Sequence, residues 1–175
     1  MAMLKVRLTG AWNLQEYRAI SVDDSGDIIH PLGPHCKGQA IFSADSYMSA
    51  LVQEADTTGF AEAASVSDRE LATRRTIAHS GPYLLNDITA TTATLSHVPD
   101  ISLPDSWTGS TLIRHIELTE DSADEAVVGR LTLATVEPIT IGTRRRQVEM
   151  SLRRAPVPNS MHVHNPSSIE QGPKL

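Results

Sequence analysis

One arginine stands among aliphatic residues in a segment that has the composition of a strand. Successive side chains of a strand alternate between its faces, so in residues 110–118 Leu112, Arg114 and Ile116 share one face. Leu112 and Ile116 are expected to point inward and contact a substrate, which places Arg114 inward as well. Because a guanidinium is costly to bury alone, Arg114 is predicted either to hold a carboxylate, enolate or lactone oxygen of a ligand, or to form an internal salt bridge.

A histidine lies on a similar apolar face in an earlier segment. His97 shares its side of the predicted strand with Leu95 and Ala93. An inward imidazole can act as a general acid or base near neutral pH, and it can equally be a hydrogen-bonded core residue. Asp100 and Asp105 flank the turn that follows. Either carboxylate could act as a base or nucleophile, or could only cap the turn.

A phenol and a hydroxyl alternate in the segment before the middle of the chain. Tyr47, Ser49 and Leu51 fall on one face, which we expect to point inward. Tyr47 could then donate a proton to a developing oxyanion, and Ser49 could bind a polar atom of the substrate. The alternative is that Tyr47 only fills the interior.

Aromatic residues are few in this sequence: two Trp, three Tyr and two Phe. So small a number fits an incompletely filled interior, although small aliphatic side chains could also fill it. Tyr17 and Trp107 are expected beside the substrate, as core anchors rather than as platforms on which a ligand stacks.

No metal site or cofactor site is predicted. His162 and His164 lie in a presumed tail, and neither Cys nor an acidic cluster completes a ligand set there. His30, His35 and Cys36 match no standard ligand spacing. The sequence has no Walker loop, no Gly-x-Gly-x-x-Gly and no Gly-x-Ser-x-Gly, so nucleotide binding and α/β-hydrolase chemistry have no support.

Composition narrows the class of protein. The chain has 175 residues, 40% of them hydrophobic, and a net charge of −6. These values indicate a globular protein and argue against a nucleic-acid partner. No apolar run approaches the length of a membrane span. With one cysteine and no secretory signal, the expected location is the cytoplasm.

The elements that would position these residues are mostly short strands. Turn residues separate seven or eight alternating segments, two of which, residues 38–44 and 47–53, form a predicted hairpin. A capping box, Ser67-x-x-Glu70, predicts one short helix that ends before Gly81 and has His79 at its end. The predicted fold is mainly β: a closed or nearly closed antiparallel up-and-down barrel of about eight strands, spanning residues 1–154. Residues 155–175 are expected to be a flexible tail.

The order of several short motifs resembles that of the lipocalin-like domain family, small calycin-type β-barrels found in bacteria and fungi. The resemblance covers roughly residues 8–154, and its motifs are Leu8-Thr9-Gly10-Ala11-Trp12, Pro31-Leu32-Gly33, Ser43 to Ala50, Glu70-Leu71-Ala72, His79 to Tyr83, Ser96-His97-Val98, and Trp107-Thr108-Gly109 followed by Arg114. It implies a barrel with a lumen. Some fungal barrels of this type act as cyclases or isomerases on polyketide or terpenoid intermediates, which suggests the same activity here by analogy.

Three functions stay open at this stage. The first is a cofactor-independent cyclase or isomerase in which Arg114 binds an oxygen while His97, Tyr47 or Asp100 moves a proton. The second is a non-catalytic carrier of a small hydrophobic ligand, using the same lumen. The third is an interaction module with a plugged barrel. A hydrophobic small molecule is the expected partner, and a homodimer is left open.

Overall fold

The computed structural model describes residues 2–23, 25–55, 75–121 and 128–156. A helix, α1 (Ala2–Leu8), precedes the sheet. The strands are β1 (Gly10–Ser21), β2 (Ile28–Ile29), β3 (Lys37–Phe42), β4 (Tyr47–Gln53), β5 (Thr76–Asn86), β6 (Thr92–His97), β7 (Ile101–Leu103), β8 (Leu112–Asp121), β9 (Val128–Thr135), β10 (Ile139–Ile141) and β11 (Arg144–Arg154). A 3₁₀ turn, η1 (Asp105–Trp107), follows β7.

Eight of these strands close into an antiparallel barrel, which confirms the predicted fold class. The order is β1-β3-β4-β5-β6-β8-β9-β11, and β11 pairs back onto β1 from Trp12↔Arg154 to Ser21↔Arg146. The short strands β2, β7 and β10 add to β1, β5 and β11. The predicted β3–β4 hairpin is also confirmed, with Phe42 opposite Met48. Closure leaves the eight barrel strands without an open edge.

A bulge in β1 explains how its two aromatic residues both reach the interior. The β1–β11 register shifts between Leu14 and Glu16. Trp12 and Leu14 point inward before the bulge, whereas Tyr17 and Ala19 point inward after it, so the inward parity changes from even to odd. One extra residue therefore brings Tyr17 to the lumen.

Helix α1 closes one end of the barrel. Leu4 and Leu8 are 2% and 0% exposed and pack with Trp12, whose Nε1 donates to the Leu8 carbonyl at 2.7 Å. Arg154 covers the Trp12 ring at 4.2 Å and donates to the Thr9 carbonyl at 2.9 Å. A cation at the helix C-terminus satisfies carbonyls that lack intrahelical partners. Each buried Leu contributes roughly 2 kcal/mol to the free energy of unfolding. Leu4, Leu8 and Trp12 therefore form a stable plug, the α1 plug, at this end of the barrel.

The helix predicted to start at Ser67 and end before Gly81 is wrong over residues 76–80, and residues 67–74 lie outside the described ranges. Residues 76–86 form β5, in which Ile77, His79 and Tyr83 point inward and Gly81 occupies the inward position between the last two. The alternation of its side chains between the two faces of the barrel wall is typical of a strand. Gly81 is required there because a Cβ at this position would lie 2.4 Å from the Val98 carbonyl oxygen. His79 is therefore a mid-strand residue, not the end of a helix.

The described chain ends at Pro156, just after the last barrel strand. The Ala155 amide still donates to the Ala11 carbonyl, at 2.9 Å. The predicted tail from residue 157 onward lies outside the described residues and stays a prediction, as does the domain boundary.

Candidate functional site

A cavity lies inside the barrel on the far side of the α1 plug. It measures about 50 Å³, within about 780 Å³ of empty space that includes its mouth. All eight barrel strands contribute to its wall, and most lining side chains are apolar, among them Leu14, Met48, Leu112 and Met150. A cavity of this size holds a few waters. Pockets for drug-sized ligands are several times larger, so a ligand must displace flexible side chains such as the two methionines.

Arg114 faces this cavity, as the alternation of β8 predicts. Its side chain is half-buried, and its Nη1 donates to the carbonyl of the neighbouring Ile113 at 2.8 Å. Among the described residues no carboxylate forms a salt bridge with it. Burial lowers the pKa of Arg114, and its interaction with Tyr17 opposes that shift. The predicted alternative of an internal salt bridge is therefore not found in the described part of the chain.

His97 and His79 form a hydrogen-bonded pair in the wall of the cavity. His97 is 1% exposed, and its Nδ1 lies 3.0 Å from the Pro82 carbonyl oxygen, which can only accept. His97 Nδ1 therefore carries the proton, and its Nε2 holds a lone pair. His79 Nδ1 lies 3.0 Å from that Nε2 and so must donate to it.

This chain of donors assigns the tautomer of His79. With Nδ1 protonated, the neutral ring keeps a lone pair on Nε2, and Nε2 has no hydrogen-bond partner among the described residues. Burial, together with the smaller effects of His97 and Arg114, lowers the pKa of His79 to about 4. Burial also lowers the pKa of His97, against the Pro82 hydrogen bond and the charge of Asp100, which raise it. Both rings are neutral at pH 7.

Two aromatic residues complete this part of the wall. The Trp107 ring lies 5.9 Å from that of His79, held there by η1 and by the Gly109 amide, which donates to the Pro99 carbonyl at 2.8 Å. Tyr17 faces the cavity from β1. Burial raises the pKa of Tyr17, and Arg114 opposes that rise, so the phenol is neutral beside the guanidinium.

The lipocalin-like domain family matches residues 9–155, almost the whole barrel. The chain belongs to this family. Comparisons with curated proteins and with solved structures gave no match. The lipocalin-like fold is suited to binding a small hydrophobic ligand in its lumen, and the largely apolar cavity is consistent with that use. No helix in the described part of the chain is long and apolar enough to cross a membrane.

The inward orientation expected for Tyr47, Ser49 and Leu51 is wrong. Tyr47 and Leu51 are 51% and 49% exposed, on the outside of the lipocalin-like barrel. Ser49 is also exposed, and its hydroxyl hydrogen-bonds to that of Ser80 at 2.8 Å. Met48, Ala50 and Val52 face the cavity instead. The proposed roles of Tyr47 in proton transfer and of Ser49 in substrate binding therefore lose their geometric basis.

The remaining predicted residues are divided between the cavity and other places. Leu112, Tyr17 and Trp107 line the cavity. Ile116 points inward as expected, but it is fully buried in the core and does not line the cavity. Asp100 is exposed, because the preceding Pro99 takes the buried position against Gly81. Its charge acts on His97 from outside the lumen, which leaves no geometric basis for the role of a base inside it.

His79 is the functional candidate that sequence reasoning missed. The alternation of Ile77, His79, Gly81 and Tyr83 could have revealed it, since these side chains share one face. Assigning the segment to a helix hid that pattern.

Within the described ranges no group of three or more His, Cys, Asp or Glu side chains is placed to hold a metal ion. His30 lies 3.5 Å from a carboxylate oxygen of Glu16, and Cys36 is partly buried near Tyr17. The candidate catalytic groups among the described residues are therefore the guanidinium of Arg114 and the imidazoles of His79 and His97.

Replacing Arg114 with methionine is expected to raise the free energy of unfolding by about 1 kcal/mol. The change removes a desolvated cation that has no carboxylate partner among the described residues, and methionine fills a similar volume. Chemical denaturation at pH 7 measures the difference. Arg146→Met is the control, since Arg146 is buried and bonded to Asp27 at 2.6 Å, and this change should lower stability. A clear loss of stability in Arg114→Met would instead assign Arg114 a structural role.

Proposed function

We propose that this protein is a cofactor-independent isomerase or cyclase that acts on a hydrophobic, polyketide- or terpenoid-like carbonyl compound in the barrel lumen. The observation that carries the proposal is that His79, with an unpartnered lone pair on Nε2 among the described residues, and the Arg114 cation line the same largely apolar cavity. A neutral base and a cation in one lumen are the two groups that proton abstraction next to a carbonyl requires.

The reaction begins at the carbon next to the substrate carbonyl. His79 Nε2 takes a proton from this carbon, the C–H electron pair forms a C=C bond, and the carbonyl π pair moves to oxygen. Arg114 stabilises the enolate oxygen that results. In an isomerisation, the proton returns from His79 to a different carbon of the extended enolate. In a cyclisation, the enolate carbon attacks a second carbonyl of the same molecule, and the new alkoxide takes the proton from His79.

His97 acts as a positioning residue in this scheme. Its Nε2 accepts the proton of His79 Nδ1, and its own Nδ1 is anchored on the Pro82 carbonyl. The His79 ring is therefore oriented before substrate binds. When Nε2 gains a proton, the hydrogen bond to His97 becomes charge-assisted and stabilises the imidazolium.

The apolar wall contributes by folding the substrate. Trp107 and the aliphatic side chains exclude water and hold a flexible chain in a reactive conformer, which removes part of the entropic barrier. The negative charge that develops in the enolate also offsets Arg114, one of the groups that lower the pKa of His79. His79 therefore becomes a stronger base as the reaction proceeds.

The second candidate is a carrier of a small hydrophobic ligand. The predominantly apolar lining favours it, because binding alone needs neither the base nor the cation. A carrier shows saturable binding without chemistry.

Proton exchange distinguishes the two candidates. Benzylacetone, a neutral enolisable ketone, and phenylpyruvate, an anionic one, are incubated with the protein in D₂O, and ¹H NMR follows the loss of the α-proton signals. An isomerase or cyclase accelerates exchange of at least one probe above the buffer rate. Ser49→Ala is the matched control and should behave as the wild type, because Ser49 lies on the outer face. Binding of both ketones without accelerated exchange would favour the carrier.

A further inference from the structure

We propose that the natural ligand is an amphipathic monoanion, whose carboxylate or planar enolate binds Arg114 while its apolar body occupies the rest of the lumen. The proposal rests on the proposed function for the location of the ligand, which is the barrel cavity. What it adds is the charge of that ligand. The observation that carries this proposal is that the Arg114 cation is surrounded, among the described lining residues, by neutral and mostly apolar side chains.

Two other arginines with buried or partly buried side chains have carboxylate partners. Arg146 bonds to Asp27 at 2.6 Å, and Arg18 bonds to Glu149 at 3.0 Å. Within the described ranges Arg114 has only the carbonyl of Ile113, whereas Arg154, also partly buried, bonds the Thr9 carbonyl and covers the Trp12 ring. Burying a cation without a negative partner costs free energy. The fold supplies a negative counter-charge to Arg146 and to Arg18, and it leaves the counter-charge of Arg114 to a ligand in the lumen.

The described groups that line the cavity with Arg114 add no negative charge. Tyr17 is a neutral phenol, and His79 and His97 are neutral imidazoles at pH 7. Asp100, whose charge acts on His97, is exposed outside the lumen. The described lining therefore carries one positive charge, which a monoanion neutralises. A dianion such as a phosphate monoester would leave one negative charge in apolar surroundings.

The shape of the guanidinium favours a planar anion. Its parallel N–H groups fit the two oxygens of a carboxylate or of the enolate of a 1,3-dicarbonyl. Elsewhere the wall is formed by apolar side chains such as Met48, Leu95, Leu133 and Leu152. They bind an alkyl or aryl body through dispersion and by removing it from water. The site thus separates a charged recognition point from an apolar compartment.

The test compares probes of equal chain length whose head groups are either anionic or neutral. Linear carboxylates from butanoate to decanoate, and the alcohols of the same lengths, are titrated into the wild type by isothermal titration calorimetry at pH 7. The best carboxylate is expected to bind at least about tenfold more tightly than its alcohol. Arg114→Met should abolish that preference, and Arg114→Gln should do the same if the methionine variant folds poorly. Arg153→Met, which removes an exposed arginine of β11, should retain it.

Three results would overturn the inference: equal affinities of carboxylate and alcohol in the wild type, a preference that survives in both Arg114 variants, or no carboxylate binding at millimolar concentration. These results are independent of the exchange assay. Accelerated exchange of benzylacetone without a carboxylate preference would overturn the anion inference alone. A carboxylate preference without any exchange would overturn the catalytic proposal alone.

Discussion

Replacing His79 with asparagine is expected to lower the rate of α-proton exchange by about a hundredfold or more. The asparagine amide can still donate to His97 Nε2 from a position close to that of His79 Nδ1, so the packing of the pair is retained. What the change removes is the lone pair of Nε2, which is the base of the proposed reaction. Single-turnover exchange of the better ketone probe measures the effect.

The pH profile separates a base from a structural histidine. His79 has a pKa of about 4 in the ligand-free protein, so its base form is fully populated at any pH well above that value. The rate per bound probe should therefore be flat through neutral pH and fall only in acid, toward pH 4. An ordinary histidine would give its acid limb near pH 6.5. An exchange rate in His79→Asn equal to that of the wild type would assign the base to another group.

His97 should behave differently from His79 in the same assay. It does not present its lone pair to the lumen, because His79 Nδ1 occupies its Nε2. His97→Gln is expected to reduce exchange less than His79→Asn and to weaken the orientation of the His79 ring. That difference is the signature of a positioning residue.

The sequence predicted Arg114 and His97 correctly as inward residues because their strands have an unambiguous face. Leu112 and Ile116 flank Arg114, and Leu95 precedes His97, while the opposite faces are mostly polar. The fold follows from the same regularity, since eight such segments separated by turn residues close into a barrel. The alternation of side chains is thus enough to locate these two groups.

The same rule failed in β4 because both faces of that strand are apolar. Tyr47 and Leu51 alternate with Met48, Ala50 and Val52, so the sequence alone cannot rank the two faces. Pairing decides instead: Ala50 lies opposite Ala40, which in turn lies opposite the buried Trp12 of β1. Register of this kind is a property of the closed barrel.

Two further misses come from long-range packing. The capping box at Ser67 is a local signal, whereas β5 is fixed by pairing with β4, β6 and β7. The seven-residue helix α1 would be marginal alone. It is stabilised by Trp12, four residues beyond its end, and by Arg154 at the end of the last barrel strand. The Arg154 contact is not visible from the local sequence.

The histidine pair is also expected to make the stability of the folded protein depend strongly on pH. The pKa of His79 is about 4 in the folded state against 6.5 ordinarily, and that of His97 is shifted in the same direction. Between these values the unfolded chain binds protons that the folded chain does not. The free energy of unfolding should therefore fall as the pH drops from about 6.5 to about 4, by roughly 3 kcal/mol from His79 alone.

Urea denaturation across this pH range measures how steeply the free energy of unfolding changes with pH. Comparing variants shows how much of that change is due to His79. Carboxylates also contribute to acid sensitivity, so the informative quantity is the difference between the wild type and His79→Asn. The variant should lose much of the slope between pH 6.5 and pH 4, whereas His35→Asn, which changes an exposed histidine, should retain all of it. The groups that act on the pair are Arg114 inside the lumen, which disfavours protonation, and Asp100 outside it, which favours protonation of His97. Parallel curves for the wild type and His79→Asn would mean that His79 is protonated as readily in the folded protein as in the unfolded chain. The lone pair of Nε2, on which the proposed chemistry depends, would then be only partly available near neutral pH.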